Sequence, residues 1–304
     1  MGDIVMAGLA RMNWKLLASA AFLAGACAPS DASRATEQNQ AAPAASKQAG
    51  QAGKAGQADT PEEAAASFAM GNVLFIMFHE LGHALISEFE LPVLGREEDA
   101  VDNFASMLLT PDNDDPEMDA SILVDAIAGW FASAQMTELE DIAWWDEHGP
   151  NQQRAFQIAC VLYGSAAGAY DELAEEIGMP EDRRASCEGE YQAVFTGWGK
   201  LLAPHLLDDG EAPKARITVS YEDPGEYAAE QAMLKESGLM EMLSKEISTT
   251  FRLPRQLKIK ASKCGDPNAF WDPEAGEVNV CYELIRDYVE LHGALNADAE
   301  QSEN

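Results

Sequence analysis

Phe78-His79-Glu80-Leu81-Gly82-His83, continued after a short break by Gly95-Arg96-Glu97-Glu98-Asp99-Ala100-Val101-Asp102, carries most of the chemical information in this chain. On a helix, a spacing of four puts His79 and His83 one turn apart on one face. Each can then give a ring nitrogen to the same tetrahedral Zn²⁺. Glu80 lies about 100° further round, close enough to hold a water beside the ion without ligating it. The pattern is one protein ligand short of an open three-ligand site.

The surrounding residues make that helix apolar nearly all round. Phe68, Asn72, Phe75, Ile76, His79, His83 and Ile86 form one stripe, and Val73, Leu74, Met77, Phe78, Leu81 and Leu85 fill the other faces. Burial is therefore expected. Segment 66–86 is also long enough to cross a membrane, but the polar His79, Glu80 and His83 near one end favour a buried helix. Buried imidazoles need partners, either hydrogen bonds alone or a metal. A third histidine ligand would require Gly at 86 and His at 89, and the chain has Ile86 and Phe89. After Leu91-Pro92 and Gly95 a second helix begins, on which Glu98, Val101, Asp102, Ala105, Leu108 and Leu109 share a face. Carboxylates on an apolar face want a cation. Glu98 is the expected third ligand. Asp102, one turn on, is placed to accept the free ring N–H of a ligating histidine. Glu97 is the weaker candidate, because its neighbour one turn on is Val101.

A glutamate four residues before an aspartate, on the helix after H-E-x-x-H, resembles the gluzincin arrangement of thermolysin-like and HtpX-like peptidases. More closely, His79-Glu80-Leu81-Gly82-His83-Ala84-Leu85, the run Leu91 to Asp102 and Cys281-Tyr282-Glu283-Leu284 resemble an uncharacterised bacterial metallopeptidase family, from about Ser67 to about Ile285. That resemblance implies an α+β, predominantly helical fold with a zincin-like core and a small β-hairpin or sheet. It implies a peptidase whose Zn²⁺, on His79, His83 and Glu98, presents a water that Glu80 deprotonates as general base. No substrate narrower than a peptide or protein comes with it. Asn268-Ala269-Phe270 is similar to a sequence that HtpX-like enzymes carry in a hairpin before the zinc helix. Here it follows that helix by nearly two hundred residues, so the resemblance implies a permuted order of elements. Asn268, Ala269 and Phe270 would then be an edge strand for an extended substrate, with the backbone of 268–271 within about 10 Å of the ligands.

The 304 residues carry a formal charge of −32. Such acidity argues against nucleic acid and anionic membrane surfaces as partners. Residues 1–27 read as an export signal, with Arg11 and Lys15 ahead of apolar Leu16 to Ala26 and a small-residue site at Ala24-Gly25-Ala26. Met12 is a candidate start, and Cys27 could carry a lipid, the one route by which a membrane enters this reading. Residues 28–60, rich in Ala, Gln and Gly, read as a disordered tether. A metallopeptidase-like domain is expected over 61–296 and a polar, disordered tail over 297–304. The protein would be exported, either periplasmic or lipid-anchored at the cell envelope. Four further cysteines suit disulfides, with Cys160–Cys187 and Cys264–Cys281 preferred because each pair brackets a local unit.

Helical spacing recurs near 62–89, 97–109, 117–135, 151–164, 167–178, 181–203 and 226–250. Strand-like runs lie at 216–221, 256–262 and 277–282, and the last two are expected to meet in a hairpin closed by Cys264–Cys281. Tyr163, His148, His205, Tyr282 and His292 are candidate donors to a developing oxyanion. Trp144-Trp145-Asp146-Glu147-His148 reads as an interhelix packing corner, with the rim of a substrate pocket as the lesser alternative. Two rival functions remain: a non-catalytic exported zinc-binding or interaction protein, and a zinc amidase acting on cell-wall material.

Overall fold

The computed structural model describes residues 60–111, 120–166 and 168–302. The expected export signal, Cys27 and the tether up to residue 59 lie outside them. Helix α1 (Pro61–Phe89) is the axis of the fold. Thr60 Oγ1 accepts the Glu63 N–H, the Glu63 carboxylate accepts the Thr60 N–H, and Pro61 stands at the first helical position. Together these fix where the helix starts. It stops at Glu90, which takes a left-handed conformation (φ 53°, ψ 43°) ahead of Leu91-Pro92.

Around α1 pack α2 (Glu97–Leu109), α3 (Ser121–Gln135) and the C-terminal α9 (Tyr282–Ser302). Next come α4 (Asn151–Ser165), which bridges α2 and α3 to α6 (Glu181–Leu202), and the short α5 (Asp171–Glu176). Val73, Met77, Phe78 and Leu81 of α1 are buried together with Phe104, Leu123 and Ile158. Among the described residues α1 is the one helix long and apolar enough to cross a membrane, and most of that window is covered by the rest of the fold. Gly82 permits the close approach of α2: a Cβ there would lie 2.8 Å from Val101 Cγ1. Gly129 does the same for α3 against Asn72, whose amide donates to the Phe68 and Asp125 carbonyls.

The remaining elements are α7 (Ala228–Ser237), α8 (Leu239–Thr250) and one four-stranded sheet. Its strands are β1 (Ile217–Tyr221), β2 (Leu257–Ser262), β3 (Ala269–Asp272) and β4 (Glu277–Cys281), in the order β1-β2-β4-β3. β1 with β2 and β2 with β4 are parallel, whereas β3 runs antiparallel to β4 with Ala269 opposite Val280. β3 is an edge strand, and it lies against α1. The fold is α+β and predominantly helical.

Four expectations are corrected. The hairpin partner of β4 is β3, not β2: Asp272 Oδ1 accepts the Glu274 and Ala275 N–H groups and shapes the turn, and only β3 is near enough in sequence to use it. The Cys264–Cys281 disulfide forms, but it joins the end of β2 to the end of its parallel neighbour; Cys160–Cys187 ties α4 to α6. Segment 226–250 is two helices, broken at Gly238 with φ 65°. Finally, α9 follows β4 directly and continues to Ser302, where a disordered tail from 297 was expected. Ile285, Tyr288 and Leu291 recur at helical spacing and are buried in the core, and the Ala-rich end extends the helix.

Candidate metal centre

Two adjoining helices place the polar groups. His79 Nε2 lies 3.1 Å and His83 Nε2 3.4 Å from the same oxygen, Oε2 of Glu98. One donor atom from each of the three lies within 4.8 Å of the others. Two ligands about 2.1 Å from a tetrahedral ion stand about 3.4 Å apart, so the triangle is of the right size to close on one ion. Two imidazoles and one carboxylate suit a transition-type divalent metal better than an all-oxygen Ca²⁺ or Mg²⁺ site.

Each histidine is oriented from behind. His79 Nδ1 is 2.8 Å from Asp102 Oδ1, and because a carboxylate only accepts, Nδ1 carries the hydrogen and Nε2 is left for the ion. Asp102 in turn accepts from Arg154 Nε and Nη2, both at 2.7 Å. The Arg154 guanidinium lies 3.7 Å over the Trp130 ring. Burial opposes the Asp102 charge, but Arg154 and His79 outweigh it and hold the carboxyl at about 2. His83 Nδ1 meets Glu97 Oε1 at 2.8 Å. Glu97, weighed above as a rival ligand, thus backs the second histidine. In the metal-free side chains burial would lower both imidazoles, yet the carboxylates win: His83 is raised to about 9, and His79 is raised as well. Glu98 is held well below the ordinary carboxylate range against its burial, by contacts with His148, His79 and His83.

Glu80 stays outside the ligand triangle. Burial pushes its pKa up, offset by the two imidazoles and by a hydrogen bond from the Trp271 backbone N–H. That bond brings β3 to the general-base candidate. A cleft of about 520 Å³ opens here, lined by His79, Glu80, His83 and Glu98 on one side and by Asn268, Ala269, Phe270 and Trp271 on another. The structure therefore gathers every sequence-derived site residue at one place except Asp102, which stands just behind His79.

Of the five oxyanion candidates, His148 alone lines the cleft. Its Nε2 is 2.9 Å from Glu98 Oε2, while Asp146 Oδ1 holds both its Nδ1 and its backbone N–H. Tyr163 donates to Asp171, His205 stacks on Phe89, Tyr282 donates to backbone carbonyls of Glu222 and Ala261, and His292 packs on Phe68. The packing-corner reading of Trp144 and Trp145 is overturned: both indoles are exposed. They stand on the segment between α3 and α4, a loop with one short 3₁₀ turn.

Over residues 38–202 and 221–304 the sequence matches a protein family described as "Putative metallopeptidase". The chain belongs to that family. No curated protein and no solved structure matches it. Membership agrees with a hydrolase that uses a metal ion, and the triangle of His79, His83 and Glu98 is the candidate place for that ion in this chain. Sequence reasoning missed Arg154 and Trp130; it placed the 268–271 backbone near the ligands without giving the Trp271 N–H its partner, Glu80. A signal for Arg154 was present: it is the first Lys or Arg after Arg96, set among Ala155, Ile158 and Ala159. A lone cation on an apolar helical stripe has to find a buried carboxylate.

Proposed function

We propose that this metallopeptidase is a zinc-dependent peptidase of gluzincin type. The observation that carries the reading is Glu80. It is buried, it is not needed as a ligand, and it is suspended between the ligand triangle and the edge strand β3. Zinc, when bound by His79, His83 and Glu98, supplies a Lewis acid that lowers the pKa of water and polarises a carbonyl.

The remaining work falls to side chains and backbone. With its pKa raised by burial, Glu80 accepts a proton from the attacking water and delivers it to the departing amine. His148 Nε2, kept aimed by Asp146, donates toward the developing oxyanion. Arg154 and Asp102 fix the His79 ring, and Glu97 fixes His83. Just before β3 the Asn268 carbonyl accepts from Cys281 N–H, so Asn268 and, on the strand, Phe270 turn their backbone groups to β4. Ala269 and the Trp271 carbonyl turn to the open edge, where an extended peptide adds as a strand, while the Trp271 N–H is held by Glu80. Asn268 Oδ1 accepts the Ala269 N–H at 2.9 Å and gives way as the peptide enters.

The substrate is a peptide or protein, and the protein works outside the cytoplasm, either free or lipid-anchored through Cys27. The two disulfides support an oxidising compartment. The test is metal analysis and peptide turnover of the purified chain beside Glu80→Gln. The variant should keep about one zinc and lose about 10²–10⁴-fold in turnover. Unchanged turnover in Glu80→Gln, or a chain that takes up no zinc, overturns the proposal.

A further inference from the structure

The segment from Met136 to His148 bears a surface that the chemistry above does not use. Leu139 is 74% and Trp145 87% exposed, and Met136 and Trp144 are exposed with them. Soluble chains rarely leave two indoles and two long aliphatic side chains in solvent within ten residues unless something covers them. Interleaved with them are Glu138, Glu140, Asp141, Asp146 and Glu147. There is no Lys or Arg anywhere between Arg96 and Arg154, and Arg154 is consumed by Asp102. Among the described residues Glu138, Glu140, Asp141 and Glu147 make no salt bridge.

This surface is tethered to the site. Trp145 is three residues before His148, so its Cα lies within about 11 Å of the His148 Cα, and the His148 ring touches Glu98. Across the cleft, Phe270 of β3 is exposed and Asp287 of α9 lines the rim. Asp287 has another carboxylate, Glu290, as its charged neighbour rather than a cation. Apolar groups beside unpaired carboxylates thus recur on both sides of the opening.

Taking the peptidase reading as given, we propose that its substrates are basic, apolar-rich peptide segments, which lay their apolar side chains on Trp144, Trp145 and Leu139 and their cations against the loop carboxylates and Asp287 while the scissile stretch pairs with β3. Charge complementarity selects this occupant. An anionic membrane would be repelled by the loop carboxylates, whereas a cationic peptide gains from Glu138, Glu140, Asp141 and Glu147, Asp146 being engaged by His148.

The experiment compares two long peptides with one shared scissile segment, flanked either by Lys and Leu or by Glu and Leu, and a short peptide of the scissile segment alone. Cleavage by the zinc-loaded full chain should favour the basic peptide by about tenfold or more in kcat/KM, mainly through KM, and the preference should shrink as salt is raised. Trp144→Ser/Trp145→Ser should lower the ratio of kcat/KM for the long basic peptide to that for the short one by about tenfold. Equal KM for basic and acidic peptides, or a ratio unmoved by the double variant, overturns the proposal. Binding of the same peptides to Glu80→Gln, followed by indole fluorescence, separates the two readings. Basic-selective binding without cleavage by the parent chain sinks the peptidase reading and leaves the docking surface standing. A blue shift with zwitterionic lipid vesicles and none with the basic peptide assigns the surface to a membrane and overturns the inference.

Discussion

His79 and His83 stand one turn apart on the same helix, and their surroundings are opposite in kind. His79 is 2% exposed and backed by buried Asp102 and Arg154, with half-buried Trp130 under the guanidinium. His83 is backed by Glu97, whose side chain is 46% exposed. The inner half of the site is fixed by a continuous run of desolvated groups, where each contact is strong and each loss leaves a charge stranded. The outer half is held by one solvent-screened contact. Both halves meet at a single carboxylate, Glu98, so the ion would be gripped firmly on one side and adjustably on the other.

The largest expected effect tests the meeting point. Glu98→Ala should weaken zinc binding by orders of magnitude, as read by metal content after dialysis, whereas Glu97→Ala should keep the metal. The opposite pattern would exchange their roles. Next comes the inner half alone. Arg154→Met leaves Asp102 buried without its cation and should cost about 3–5 kcal/mol in urea unfolding of the metal-free protein. A cost under about 1 kcal/mol would erase the contrast, since that is the range of an exposed pair such as Glu97 and His83.

Acid should reach the inner half in a defined window. Asp102 is held at about 2 against an ordinary 3.8. Its folded value is depressed, so its contribution is present in full above 3.8 and is lost as pH falls through about 2. Roughly 2 kcal/mol is at stake over that interval, and chelator-treated protein titrated by unfolding at each pH will show it or not. The smallest effects compare the two backing carboxylates directly. Asp102→Asn should lower zinc affinity about 10–100-fold, and Glu97→Gln no more than about threefold. Equal losses would mean that exposure does not grade the two.

The legible part of the site was the part written on single helices. His79, Glu80 and His83 share one helical turn. Glu98 and Asp102 stood out because carboxylates there occupy an apolar face, and the structure puts both against His79. What a lone helix cannot tell is who comes to meet it. Arg154 arrives from α4, Trp271 from an edge strand, and His148 from an irregular loop. None of these meetings has a period or a spacing in the sequence. The sheet failed for a related reason: β2 and β4 look like hairpin partners locally, and only the four-residue β3, too short to show alternation, reveals that they run parallel. Helix α9 was overlooked because it follows β4 with no turn residue between Cys281 and Tyr282.

Gly82 gives the site a property that none of its ligands possesses. It is the hydrogen atom in place of a methyl group that lets Val101 and Phe104 of α2 rest on α1. The gap between histidines and carboxylate is therefore gauged by backbone thickness, at the residue next to His83. Metal sites tolerate errors of about 0.2 Å in ligand distance, less than the shift a Cβ 2.8 Å from Val101 Cγ1 would force. The spacing of the candidate ligand helices thus lies in a residue with no side chain.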